Sequence, residues 1–356
     1  MPGKRPWDTS EDRVVRFLQK HFGLRTATLK MGIGDDAAVF HPPGADEFWA
    51  VTTDILLEDI DFRRGWLTPG QLGHKSLAAN LSDLAAMGVQ PRYYTVGLGI
   101  PGELKQNWIA AFYRGMSRLG DAHGAMLIGG DLSRSTRGLH ISIAAFGETL
   151  HRRLLYRSGG SPGDLIFVTG TLGLSAAGLK LLELGKTRGE SLPERLALKA
   201  HREPQPRCET GTWLAQSGLV RCMMDLSDGL SADLPRMCVA GRTGAEIYTE
   251  LLPSFPECAA WRCDPLTLAL HGGEDFELLF AVPARALQAF RAAYPRGFPQ
   301  ATQIGKLTRK TGVVCRSGPG KPPKPLPALG FDHFRHPVSP RKPSNYSAHQ
   351  SRYLNA

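Results

Sequence analysis

The chain has 356 residues, 42% hydrophobic and 21% charged, an ordinary globular balance and a length that favours two domains over one. No apolar run approaches the roughly 20 residues that span a bilayer, and the charged start MPGKRPWDTSEDRVV lacks the apolar stretch of a secretory leader, so a cytoplasmic protein without a membrane anchor is expected. The net charge of +10 is spread along the length, richer at 151–157 and 306–324, with no basic helix and no aromatic-interleaved stripe. It suits anionic substrates at least as well as nucleic acid.

Helical periodicity appears at 10–22, where Val14, Phe17, Leu18 and Phe22 share a face, then at 69–87, and at 103–119 through Leu104, Trp108, Phe112 and Met116. Runs at 48–53, 93–100 and 125–128, and the alternation Ile141, Ile143, Ala145, read as strands. A Gly-Gly-Ser-Pro-Gly stretch within 147–163 reads as a hinge. Beyond it a second α/β pattern has strands at 164–169, 222–225, 246–249, 276–282, 301–306 and 312–315. Helices are expected at 172–184, 206–217, 229–240 and 284–294. The fold class is therefore α/β (α+β), with domains at 1–149 and 150–335. A polar, Pro- and Ser-biased tail at 336–356 is expected to be disordered. The six cysteines, at 208, 222, 238, 258, 263 and 315, have neither disulfide-framework nor zinc spacing and read as buried thiols.

The aspartates carry the chemistry. Asp35 and Asp36 sit in the glycine turn Gly32-Ile-Gly-Asp-Asp, Asp54 ends a strand after Thr52 and Thr53, and Asp83 lies within an otherwise apolar helix. Asp131 follows Gly129-Gly130, and Asp225 and Asp228 bracket a strand-to-helix turn. On the Asp83 helix, Leu77, Leu81 and Leu84 form the apolar stripe, while Ser76, Asn80 and Asp83 form a polar line that reads as facing a site. Taken singly, Asp228 could be an N-cap and Asp35 or Asp36 a turn residue. Together, clustered carboxylates repel unless a cation collects them. Mg²⁺ takes oxygen ligands and shares carboxylates with substrate phosphates.

Absent motifs narrow the class. There is no G-x-x-x-x-G-K-[ST] loop and no protein-kinase H-R-D or D-F-G set. Gly97-Leu-Gly99-Ile-Pro-Gly102 matches a dinucleotide fingerprint in letters, but its internal proline argues against one. His74 and His271 stand alone, without metal-ligand spacing, and read as structural.

GIGDDAAVF, TTDILLEDIDF, HKSLAANLSDLAAMG, IGGD, YRSGGSPGDLIFVTG, MDLSDGLSADL, GGEDFELLF and GFDHF occur in that order between about residues 8 and 335. The series resembles the thiamine-monophosphate kinases of the aminoimidazole-ribonucleotide-synthetase-like ATP-binding superfamily. The resemblance implies an N-terminal metal- and ATP-binding α/β domain whose sheet joins its mate's in a homodimer, and a C-terminal α/β domain closing the cleft. It implies Mg²⁺-dependent transfer of phosphate from ATP to thiamine monophosphate. Asp36, Thr52, Thr53, Asp54, Asp83, Asp131, Asp225 and Asp228 resemble the Mg²⁺ ligands. Gly130, Asp131, Arg157 and Ser227 resemble ATP contacts, and Glu274 and Phe331 acceptor contacts. Asp35 adjoins the first metal position and is a weaker candidate.

No catalytic base is required for such a reaction. A phosphate monoester has its second pKa near about 6, so the acceptor is already anionic at neutral pH, and direct in-line transfer reduces to alignment and charge neutralisation. One position departs from the family. A segment resembling V-E-G-V-H-F there reads Leu57-Glu58-Asp59-Ile60-Asp61-Phe62 here, so Asp61 stands at a substrate-contacting position that usually carries His. An acid repels a substrate phosphate and attracts a cationic ring. Asp61 is thus either a tolerated variant or a change of acceptor, which keeps open a sister enzyme acting on another small acceptor. A basic nucleic-acid-binding protein is the reading from another class, but it gives no reason for acids at these turns. A degraded, non-catalytic relative would not keep every metal position filled.

Overall fold

A computed structural model describes residues 10–24, 26–149, 153–318 and 320–334. The first part runs α1 (Glu11–Phe22), β1 (Leu29–Met31), β2 (Ala38–Phe40), β3 (Phe48–Leu57), α2 (Pro69–Ala86), β4 (Gln90–Pro101), α3 (Gln106–His123), β5 (Met126–Ser135) and β6 (His140–Thr149). Its strands form a six-stranded sheet in the order β1-β2-β3-β6-β4-β5, in which only β4 and β5 pair in parallel.

The second part begins with β7 (Leu165–Thr169), α4 (Leu174–Glu183), α5 (Leu192–Arg202), α6 (Cys208–Ser217), β8 (Cys222–Leu226), α7 (Leu230–Gly241) and β9 (Gly244–Tyr248). It continues with α8 (Pro265–His271), β10 (Glu277–Val282), α9 (Leu287–Ala293), β11 (Ala301–Thr308), β12 (Gly312–Arg316) and β13 (Lys324–Pro325). These strands form a seven-stranded sheet ordered β13-β12-β9-β11-β7-β10-β8, antiparallel except between β9 and β12.

The helix α2 joins the two parts. Thr68 and Gln71 close a capping box at its start, with Pro69 in the first turn. Leu72, Leu77, Leu81 and Leu84 are all buried, because α2 packs against α3, β3 and β6 on one side and against α6 and β8 on the other. A helix covered all round needs no single apolar stripe. The main core accordingly runs without a break from Ile141 and Ile143 through α2 to Leu214, Met223 and Phe280.

Several expectations change. The strand 48–53 continues through Asp54 to Leu57, and the strand 125–128 continues through Gly129, Gly130 and Asp131 to Ser135, so both acids lie within strands rather than at their ends. Ladder bonds with β6 and β4 extend these strands past the point where local composition reads as a turn. The short strands β1 and β2 were not expected, having too few residues for a period. The helix α5 was also missed, although its capping box Ser191–Glu194 is a start signal. Gly97–Gly102 forms no strand–turn–helix unit: Gly97 and Gly99 lie inside β4 itself. The apolar face of α1 is not covered among the described residues, with Phe17 55% and Phe22 64% exposed. The hinge at 147–163 lies partly, and the tail at 336–356 wholly, outside the described residues.

The α2–α3 contact is close enough to demand glycine. A Cβ on Gly115 would sit 1.9 Å from the Gly70 carbonyl oxygen, and one on Gly73 would sit 2.0 Å from that of Phe112. Gly115→Ala should therefore lower stability by about 1–3 kcal/mol, read as a reduced denaturant midpoint. A midpoint equal to wild type would show that the helices separate freely.

Candidate active site

The carboxylates converge at the C-terminal end of α2, between the two sheets. Asp83 is in the last turn of α2, and one of its oxygens accepts from the Thr52 hydroxyl on β3. Asp225, 2% exposed on β8, accepts from Ser82 Oγ at 2.7 Å, so adjacent residues of α2 engage both sheets. Asp36, 6% exposed in the turn before β2, accepts from the Arg157 guanidinium, whose Nε lies 3.1 Å away. Asp36, Asp83 and Asp225 each bring a carboxylate oxygen within 4.8 Å of the others. Asp36 Oδ2 and Asp54 Oδ2 are buried with no hydrogen-bond partner.

Electrostatics match the geometry. Burial first, then the carboxylates of Asp54, Asp225 and Asp36, pushes Asp83 well above the usual range. Burial and then Asp36 push Asp225 up to about 7. Burial and then Asp228 push Asp54 up to about 6, while burial and then Asp36 raise Asp35 to about 7. The Asp35 carboxylate accepts the Arg157 backbone N–H at 3.2 Å, which ties this turn to the segment after residue 153.

The Asp225–Asp228 turn forms the other wall. The helix α7 starts at Gly229 without a side-chain cap, so Asp228 is not an N-cap. Its carboxylate pairs with Arg236, which also reaches Asp233 at 2.9 Å and Asp12 of α1 at 3.1 Å. The Ser227 carbonyl accepts the Glu274 N–H at 2.7 Å, and the Asp228 carbonyl accepts that of Phe331 at 3.0 Å. The GGED and GFDHF segments thus lie against this turn. Asp61 hydrogen-bonds back to the Leu57 N–H at 2.7 Å, and its carboxylate stands 3.9 Å from His333 Nε2.

Two expected placements differ. Gly130 shares a row with Val96, Ile143 and Asp54, and so stands three strands from Asp54, about 14 Å away at ordinary strand spacing. Asp131, the next residue on the exposed edge strand β5, is outside the carboxylate cluster. The polar line Ser76–Asn80 is bonded into its own helix, although Asn80 Oδ1 is left buried without a hydrogen-bond partner. Ser76 Oγ donates to the Leu72 carbonyl and Asn80 Nδ2 to that of Ser76, both buried, because short polar side chains bond readily to the preceding turn. Thr53 Oγ1 likewise donates to the Ile143 carbonyl at 3.0 Å.

Sequence reasoning missed Ser82, Lys75 and Arg236. Ser82 and Lys75 lie in the motif HKSLAANLSDLAAMG itself, and with Ala79 and Asp83 they follow one line of α2. Arg236 follows Asp233 by the three residues that place both on one helix face. His74 and His271 are structural: the first bonds the Pro204 carbonyl at 2.8 Å, the second Ser231 Oγ at 2.7 Å.

Two family models match the chain: the N-terminal domain of AIR synthase related protein over residues 34–149, and its C-terminal domain over 161–317. The thiamine-monophosphate kinase of Escherichia coli (strain K12) is 36% identical over 329 residues, covering 91% of this chain and 98% of that protein. The thiamine-monophosphate kinase of Bacillus subtilis (strain 168) is 32% identical over 314 residues, covering 88% and 96%. A solved structure of AaThiL complexed with AMPPCP and TMP matches with a TM-score of 0.80 at 29% identity, covering 94% of this chain and 100% of that one. Fold and site thus define an AIR synthase related protein with an acid-lined cleft between two α/β domains. Within that class, the chain belongs to the thiamine-monophosphate kinase family.

The raised carboxyls have a measurable consequence. Because their folded-state values lie above the ordinary 3.8, the metal-free fold holds protons that the unfolded chain releases between about pH 4 and 7. The cluster's contribution to stability should fall as pH rises through that window. A divalent cation should therefore raise Tm more at pH 7.5 than at pH 5, and Asp225→Asn should reduce that difference. A cation effect independent of pH in both proteins would remove the cluster as its origin.

Proposed function

We propose that this protein transfers the γ-phosphoryl group of ATP to thiamine monophosphate, forming thiamine diphosphate and ADP in the cytoplasm. The observation that carries the reading is the convergence of Asp36, Asp83 and Asp225, with two orphaned buried carboxylate oxygens, in a chain of this family. That donor set fits Mg²⁺, a hard cation that takes carboxylate oxygens. Asp36, Thr52, Thr53, Asp54, Asp83, Asp225 and Asp228 are the residues of one chain that would hold several such ions, with Asp131, outside the cluster of its own chain, supplied where a second copy meets it. When bound, Mg²⁺ neutralises phosphate charge and orients the transferring group.

The chain's own residues supply binding and alignment. Gly130, Asp131, Arg157 and Ser227 would hold ATP, and Asp61, Glu274 and Phe331 the acceptor. Arg157 pairs with Asp36 here, within reach of the same carboxylates. No residue needs to remove a proton, because the acceptor phosphate is already anionic, so direct in-line transfer follows. The functional division runs at 1–149, which carries most ligands, and 150–335, which closes the cleft with Asp225, Asp228 and the acceptor segments.

A homodimer accounts for Asp131. Met126, Leu127, Ile128 and Leu132 are exposed along the edge strand β5, an apolar strip unusual on a free surface. A second copy covering that strip would let Asp131, remote from its own cluster, act where the two chains meet.

The direct test is a coupled assay of ADP release with thiamine monophosphate, free thiamine and related phosphates, with and without Mg²⁺. Mg²⁺-dependent turnover of thiamine monophosphate is expected, and silence with every acceptor would sink the assignment. Asp83→Asn should reduce turnover by at least about a hundredfold while leaving the circular dichroism spectrum unchanged.

Asp61 favours a second reading, in which the acceptor differs, but its bond to the Leu57 N–H ties it back to its own turn. Asp61→His should therefore turn over thiamine monophosphate comparably to wild type. A large gain on that substitution would instead mean that this chain serves another acceptor.

A further inference from the structure

Lys75 is the buried cation at the other end of the α2 line that carries Asp83. Its side chain is 1% exposed, yet its ammonium is paired, donating to Glu274 Oε2 and to the His201 carbonyl. Nζ lies 2.8 Å from each carboxylate oxygen of Glu274 and 3.1 Å from the His201 carbonyl on α5. Glu274 itself is 31% exposed, so the carboxylate that the buried ammonium grips is still accessible. His201 Nδ1 stands 3.3 Å from the same carboxylate, and burial and then Lys75 hold that imidazole well below its ordinary pKa.

The loop carrying Glu274 is constrained from Glu274 to Phe276. Glu274 and Phe276 have φ of 61° and 50°, a left-handed region that non-glycine residues adopt only when the surroundings impose it. The Glu274 and Phe276 N–H groups are taken by the Ser227 and Leu226 carbonyls at 2.7 and 2.9 Å. The Asp275 carboxylate accepts from Gly173 and Ser175 at the start of α4, at 2.6 and 3.0 Å. The backbone is thereby fixed, and Lys75 fixes the one remaining freedom, the side-chain rotamers of Glu274.

A buried Lys–Glu pair adds little net stability over an apolar pair of the same volume, so stability alone does not account for an ammonium at this depth. Its placement does. Lys75 and Asp83 are eight residues apart on one helix face, about 12 Å along the axis. One end of the line meets the metal-binding carboxylates and the other meets an acceptor residue.

We propose that Lys75 is the positioning residue of the acceptor site, orienting the Glu274 carboxylate toward the cationic ring of the acceptor without touching the acceptor itself. This rests on the reading of Glu274 as an acceptor contact. Steady-state kinetics with ATP and thiamine monophosphate varied in turn test it, on Lys75→Met, Glu274→Gln and the double variant. Both single variants should raise the acceptor KM on the order of tenfold and leave the ATP KM within about twofold. The double variant should be no worse than Glu274→Gln, because Lys75 acts only through that carboxylate.

An acceptor KM raised in Glu274→Gln but unchanged in Lys75→Met overturns the role of Lys75 alone. An acceptor KM unchanged in Glu274→Gln overturns the reading of Glu274, and the positioning role with it. If Lys75→Met does not fold, the double variant, which strands neither charge, carries the comparison. A KM equal to that of Glu274→Gln then supports the positioning role, and a further rise overturns it.

Discussion

The repulsion among Asp36, Asp54, Asp83 and Asp225 is the constraint on which the rest of the structure depends. Each is buried or carries a buried oxygen, and burial in company raises the cost of ionising Asp54, Asp83 and Asp225. The fold offsets this unevenly. Arg157 takes one oxygen of Asp36, Ser82 one of Asp225 and Thr52 one of Asp83. One oxygen each of Asp36 and Asp54 remains buried without a hydrogen-bond partner, beside a cluster whose spacing suits a cation.

That constraint explains why α2 is placed as it is. A helix that delivers an acid to the middle of a cluster must be held rigidly, and α2 is packed on all sides, with backbone contacts to α3 that exclude a single methyl group. It also reaches both sheets at once, through Asp83 to Thr52 and through Ser82 and Lys75 to Asp225 and Glu274. Whatever sets the position of α2 therefore sets the carboxylate cluster and the Lys75–Glu274 pair together. Phosphoryl transfer depends on such alignment more than on any proton-moving group.

Much of this was legible in the residues. Long periodic segments such as 69–87 gave helices within a residue or so, and Asp36, Asp83 and Asp225 gathered as their placement suggested. What was not legible were partners distant in sequence. Asp61 reads as an acid intruding on a substrate position, yet it is tied to the Leu57 N–H and lies beside His333 from the other end of the chain. Ser76 and Asn80 look like a lined site because helical spacing aligns them, but spacing does not show that each bonds to the preceding turn. The strand through Asp131 was cut short because hydrogen bonds to β4, rather than local composition, extend it.

By itself, then, the sequence determined the class of chemistry. Acids in glycine turns and one acid in an apolar helix repel unless something offsets their charge, and the ordered motifs point to the thiamine-monophosphate kinase family. Only the tertiary structure decided which acids share a site, that Asp131 stands apart from them, and that Lys75 grips Glu274. The reason is physical. Periodicity and turn chemistry act over a few residues, whereas carboxylate repulsion, desolvation and ion pairing depend on distances of a few ångströms between groups that can be more than two hundred residues apart.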